Sequence, residues 1–339
     1  MHRAYYGLAT FACVSIGLGL FYFLIFNFLN VDLFIYPDFK AYQTNDLFSP
    51  NFLYGYVVRS LGLELDHLPV VVASLAIHFL FIFTMVRYFS DGLSTIGLGA
   101  FLTLVSLNPF LVASAFVFDT MVFVKLFVAL ALMLDQRKID ARLFVLIFFF
   151  LAMFRFSILL LGLPIVIWLF VKRGISWIFL PLALLFFVLI TLAQGGYVDK
   201  FATSIQMYNW NEETFNLIAI EGLDALSWFI VYALKLMLVL GGREAMYTEG
   251  LAPFLHDGRF IQILFTAGLA AVNLFGSWLF LRSQKFSIPL KLSFGILVLG
   301  SLVSVSHARY TFPFMPLLAL SIAFWIQERS PWSPNRSKK

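Results

Sequence analysis

Charge is what this sequence has least of. Only 12% of its 339 residues are Asp, Glu, Lys or Arg, against 61% that are hydrophobic, and mean hydropathy is +0.92. A soluble domain of this length has too little interior to hide so much apolar surface, which leaves a polytopic membrane protein. Cysteine occurs once, at Cys13, so no intramolecular disulfide can form. Paired His/Cys spacing of the zinc-site type is missing too. The ten-residue in/out alternation of a transmembrane barrel is absent, and the apolar runs hold Gly, Pro and dense Leu/Phe, so helices fit instead. There is no internal repeat and no low-complexity segment apart from a basic tail, so residues 1–339 read as a single transmembrane domain. No small-x-small cleavage site follows the first apolar run, and a cleavable signal peptide is not expected.

The little charge present is ordered along the chain. Arg87, Arg137, Lys138, Arg142, Lys172, Arg173, Arg282, Lys285, Lys291 and the tail 328–339 lie at the ends of apolar runs. By the positive-inside rule these segments are cytoplasmic. Acids concentrate instead near 32–66 and 199–257. That distribution, rather than the net charge of +5, argues against nucleic acid as a partner. A crossing takes about twenty apolar residues. Candidate spans lie near 8–28, 69–87, 94–108, 116–134, 143–155, 157–171, 176–194, 261–281, 292–306 and 311–327. The run 143–171 is too long for one upright span and is read as a hairpin broken at Arg155. The run 226–242 carries Lys235, and parity makes it a surface or re-entrant helix within one large outer loop, 195–260. The expected fold is therefore all-α, a bundle of about ten spans with both termini cytoplasmic. In the first outer loop, 29–68, apolar residues recur at helical spacing after Ser49-Pro50 and predict a short amphipathic helix at the membrane surface.

A few polar residues stand where chemistry could use them. Asp38, in Phe34-Ile-Tyr-Pro-Asp38-Phe-Lys40-Ala-Tyr42, sits in the first outer loop, beside lipid and water at once. Its plainer role is a solvated loop residue or a helix cap. Asp119 lies among aromatic and aliphatic neighbours, where a carboxylate bears a desolvation cost; it is a functional acid or the head of a helix. Arg155 interrupts an apolar stretch and either binds substrate, pairs with an acid or snorkels. Lys125 reads as snorkelling or paired. His307 and Arg309 precede Tyr310, Pro313 and Pro316 near the last span. In glycosyl transfer from a lipid phosphate, a carboxylate takes the acceptor proton and a cation stabilises the leaving phosphate. Asp38 and Arg309 meet those needs. Tyr208-Asn209-Trp210-Asn211 suits sugar rings or an interfacial belt. No cofactor is required by the sequence, although a divalent ion between Asp38 and Asp119 stays open. The 42 phenylalanines read as lipid-facing and packing mass.

In these residues the chain resembles the GT-C type of integral membrane glycosyltransferases, which use polyprenyl-phosphate sugars. The likeness rests on Asp38 with Tyr42 and Pro50, on Asn108-Pro109 leading to Phe118-Asp119-Thr120, and on Arg309-Tyr310-x-x-Pro313-x-x-Pro316. Met153-Phe154-Arg155 ahead of Leu163-Pro164 fits the family's short helical pair. The resemblance implies Asp38 as general base, Asp119 as a second acid orienting acceptor or metal, and Arg309 as a contact to the carrier phosphate. Lys40, Tyr42, Arg59, Arg155, His307 and Tyr310 would line the substrate site. It further implies an inverting transfer to a glycan, lipid or protein acceptor on the outer face of a bacterial inner membrane. Two departures are a single Asp where the family has an Asp-Glu pair, and no large soluble C-terminal domain. Competing readings are an O-antigen or exopolysaccharide polymerase using Arg243 and Arg259, a lipid-linked-sugar transporter or flippase lined by Asp119 and Arg155, and a non-catalytic envelope scaffold.

Overall fold

The computed structural model describes residues 52–62, 68–89, 92–108, 111–112, 115, 120–155, 157–173, 185, 188, 236, 239–240, 260–303 and 311–329. Among the described residues all regular structure is helical and no strand occurs. The helices are α1 (Phe52–Ser60), α2 (Leu68–Phe89), α3 (Thr95–Ser106), α4 (Met121–Asp135), α5 (Ala141–Phe154), α6 (Ser157–Arg173), α7 (Phe260–Arg282), α8 (Ile288–Val303) and α9 (Met315–Arg329). A 3-10 turn, Phe312–Phe314, leads into α9. Helix α2, at 22 residues, is long and apolar enough to cross a membrane. Shorter apolar helices make up much of the rest.

Local chemistry sets the helix ends. Ser94 caps α3, its hydroxyl accepting from Gly97 N at 3.2 Å, and Asp140 caps α5 by accepting from Arg142 N at 2.8 Å. Gly62, at φ +56°, closes α1. Arg137 ends α4 in the same left-handed region, φ 55°, although it is not glycine. There Lys138 N reaches Met133 O at 2.8 Å and Arg137 N reaches Leu134 O at 3.0 Å, the paired bonds of a Schellman ending.

Helices α5 and α6 form a tight antiparallel hairpin. Arg155 between them is extended, at φ −151° and ψ 113°. Phe148 and Gly162, seven residues to either side of it, meet so closely that a side chain at Gly162 would overlap the Phe148 ring. The break expected in 143–171 therefore falls at Arg155.

The remaining contacts sort the helix ends into two sets. Gln327 of α9 accepts from Ser94 N at 2.7 Å and donates to Gly92 O at 2.9 Å, tying the end of α9 to the α2–α3 turn. Lys285, after α7, approaches Glu328 at 3.7 Å and stands 3.4 Å over the Phe324 ring. Burial pushes the Lys285 ammonium below its ordinary range, while Glu328 pushes back. Ser287 N reaches Asp135 at 3.4 Å. These links gather Arg87, Arg137, Arg142, Arg282, Lys291 and Arg329 at one basic end.

Phenylalanine fills much of the interior. Phe127, Phe144 and Phe148 form one cluster, and Phe89, Phe286, Phe280, Phe294 and Phe314 form a chain of ring contacts. The mostly apolar interior also takes in polar side chains, and apolar ones face outward. Ser74, His78, Lys125, Asn273, Ser293 and Ser321 are buried, whereas α6 exposes Leu160, Leu163, Ile167 and Val171 along one face. Helix α8 does the same with Ile288, Leu292, Ile296 and Leu299.

Candidate functional site

The far end of the bundle, opposite the basic one, begins at Thr120. This residue is the N-cap of α4, yet its hydroxyl makes no cap bond. It accepts from Arg155 Nη1 instead, while Arg155 Nε donates to Ser157 Oγ at 2.9 Å. The extended backbone at the hairpin break thus turns a half-buried guanidinium toward the head of α4. Phe154 stacks on Phe123 of α4 at 4.3 Å and 14°, which holds the two helix ends in register. Tyr54 of α1 meets the same Phe123 edge-on at 6.0 Å. Tyr54 and Val58 are buried while Tyr56 and Leu61 stay exposed, so α1 rests on the bundle through one face. Arg59 lies half-buried in its last turn.

Beside this region a half-open cavity of about 370 Å³ separates α3, α7 and α9. Its size falls in the range of small-molecule sites, roughly 300–1,000 Å³. The walls are Leu104, Val105, Leu111, Leu269, Val272 and Ile322, with Asn108 and Asn273 as the amides. Both amides are committed. Asn108 accepts from Leu111 N at 3.0 Å and donates to Met315 Sδ at 3.1 Å; Asn273 donates to Leu240 O at 2.6 Å. Thr311 donates to the neighbouring Val239 O at 2.7 Å. Val239 and Leu240 are themselves buried, so this part of the 226–242 run packs into the bundle.

Of the residues singled out in the sequence, Asp38, Lys40, Tyr42, Asp119, His307, Arg309 and Tyr310 lie outside the described residues. Arg59 and Arg155 are described, and both stand at the far end. So do Thr120 and Thr311, the chain neighbours of Asp119 and Tyr310, and the 3-10 turn after Thr311 packs on α4. Among the described residues no three His, Cys, Asp or Glu side chains cluster as a metal site would need; the two carboxylates considered for a divalent ion, Asp38 and Asp119, are not among them. Sequence reasoning missed Ser157 and Asn273, whose signal was only a polar residue inside an apolar run. Of the two roles read for Lys125, snorkelling or pairing, its burial excludes the first. Lys125 is 1% exposed, on α4, which packs against α2. The His78 Nδ1 finds no hydrogen-bond partner among the described residues.

No protein-family model, curated protein or solved structure matches this chain. The far end offers a fixed guanidinium, hydroxyls and amides beside an apolar recess.

Proposed function

We propose that this chain is a multi-pass membrane glycosyltransferase of the GT-C type, moving a sugar from a polyprenyl-phosphate donor to an envelope glycan, lipid or protein acceptor. The observation that carries this reading is the convergence at the far end. There the chain neighbours of Asp119 and Tyr310, the Arg155 guanidinium and an apolar recess share one end of the bundle. The membrane setting is supported by apolar stripes on the outside of α6 and α8 with polar residues within. Basic residues gathered at the opposite end support a cytoplasmic location for it, with about ten spans and both termini inside.

In this mechanism Asp38 takes the proton of the acceptor hydroxyl as its oxygen attacks the anomeric carbon. The bond from that carbon to the phosphate oxygen breaks, and polyprenyl phosphate leaves with the bonding electrons. A single displacement inverts the anomeric centre. Arg309 balances the departing phosphate, and Asp119 orients the acceptor or a divalent ion. Lys40, Tyr42, Arg59, Arg155, His307 and Tyr310 contribute to the walls of the substrate site.

The test is sugar transfer in purified membranes from a panel of polyprenyl-phosphate sugars, comparing wild type with Asp38→Asn and Arg309→Ala at matched expression. General-base loss costs about 10²–10⁴-fold, so transfer should fall by that factor in Asp38→Asn. Transfer that survives both substitutions would sink this assignment. Consumption of pyrophosphate-linked units alone would favour the polymerase. A transporter is the reading favoured by the buried Lys125 and His78, since ionisable residues inside a bundle often line a pathway; translocation without transfer would bring it forward.

A further inference from the structure

Helices α7 and α9 pack together and end side by side at the basic end. Arg282 lies over the Trp278 ring at 4.7 Å, and Arg329 over the Trp325 ring at 4.5 Å. Phe275 joins the two indoles, stacked on Trp278 at 5.9 Å and edge-on to Trp325 at 5.1 Å. Two guanidiniums therefore stand on one aromatic platform. Both arginines are exposed, and among the described residues neither has an acidic partner, because Glu328 is engaged by Lys285. Along α7 the exposed residues Leu274, Trp278 and Arg282 succeed one another every four positions. They form a stripe that runs from aliphatic to indole to cation.

We infer that this platform binds the phosphate headgroup of an anionic phospholipid, with an acyl chain along Leu274 and Trp278. The order of groups on the stripe matches the order in a lipid: chain, interface, phosphate. A guanidinium fork fits phosphate oxygens, and stacking on an indole restrains the fork before the ligand arrives. Basic clusters on the cytoplasmic side of membrane helices recognise anionic headgroups in this manner. The inference rests on the membrane-spanning part of the proposed function and does not depend on the transfer reaction.

The experiment uses the full chain, extracted from membranes and purified in detergent. Phosphatidylglycerol or phosphatidylcholine is titrated in, with bound lipid read by native mass spectrometry and stability by thermal unfolding. Wild type should bind and be stabilised by phosphatidylglycerol preferentially. Replacing both residues, Arg282→Gln with Arg329→Gln, should weaken that binding by roughly five-fold per arginine and leave phosphatidylcholine unaffected. A charge-matched control, Arg137→Gln with Lys138→Gln, should keep the preference. An equal response to the two lipids, or equal losses in the test and control variants, would overturn the proposal. Recovery of the wild type in the soluble fraction without detergent would instead overturn the membrane reading beneath it.

Discussion

Arg155 donates to the hydroxyls of Thr120 and Ser157, and this gives the far end a measurable internal bond. Arg155→Ala should lower stability by about 2 kcal/mol, the scale of charge-assisted hydrogen bonds. Thr120→Val removes the partner, so the two losses should overlap in a double-mutant cycle, with coupling of about 1 kcal/mol or more. Strictly additive losses in detergent unfolding would mean that the contact does not form. Arg155→Lys keeps the charge but not the fork and should recover only part of the loss. In the sequence, the hairpin break at Arg155 was legible because an arginine interrupting an apolar run is costly. Its partners were not legible. Thr120 lies 35 residues away, and nothing in hydropathy encodes which hydroxyl a guanidinium will meet.

Glycines divide the helices into close and open contacts. On α7, a Cβ at Gly276 would stand 2.9 Å from Leu318 Cβ and 3.0 Å from Leu318 O, whereas at Gly268 nothing lies within 4 Å. Gly276→Ala should therefore cost about 1–3 kcal/mol through overpacking of α7 on α9. Gly268→Ala on the same helix should be neutral or stabilising by about 0.5–1 kcal/mol. Thermal unfolding of the pair checks both directions, and equal effects would contradict the packing. At the end of α4, Arg137 holds a left-handed conformation that suits glycine better, so Arg137→Gly should raise stability by about 1 kcal/mol. A fall in the unfolding temperature would show that the arginine side chain matters more there than the backbone. The sequence placed helices by the length of apolar runs, and the caps at Ser94 and Asp140 came only from the structure. The Schellman ending at Arg137 was not legible either, because it lies in backbone geometry that an arginine does not advertise.

For the whole molecule, the bundle has two chemically distinct ends, and accessibility can read them. Cys13 is the only cysteine, so Cys13→Ser provides a clean background. A cysteine at Leu107 should react with a membrane-impermeant thiol reagent added outside intact cells, and one at Lys138 only after the cells are opened. Labelling of both from one side would contradict the proposed topology. The sequence by itself determined helical structure and an excess of apolar residues, because both follow from composition and local pattern. It also marked the basic helix ends and the hairpin break. Tertiary structure alone decided that Gln327 locks the α2–α3 turn, 235 residues away from Gly92, and that Asn108 meets Met315 across 207. It also decided that Lys125 stays inside and that Trp278 and Trp325 share Phe275. Each of these depends on which helix lies next to which, and a hydropathy pattern marks a face as buried without naming what covers it.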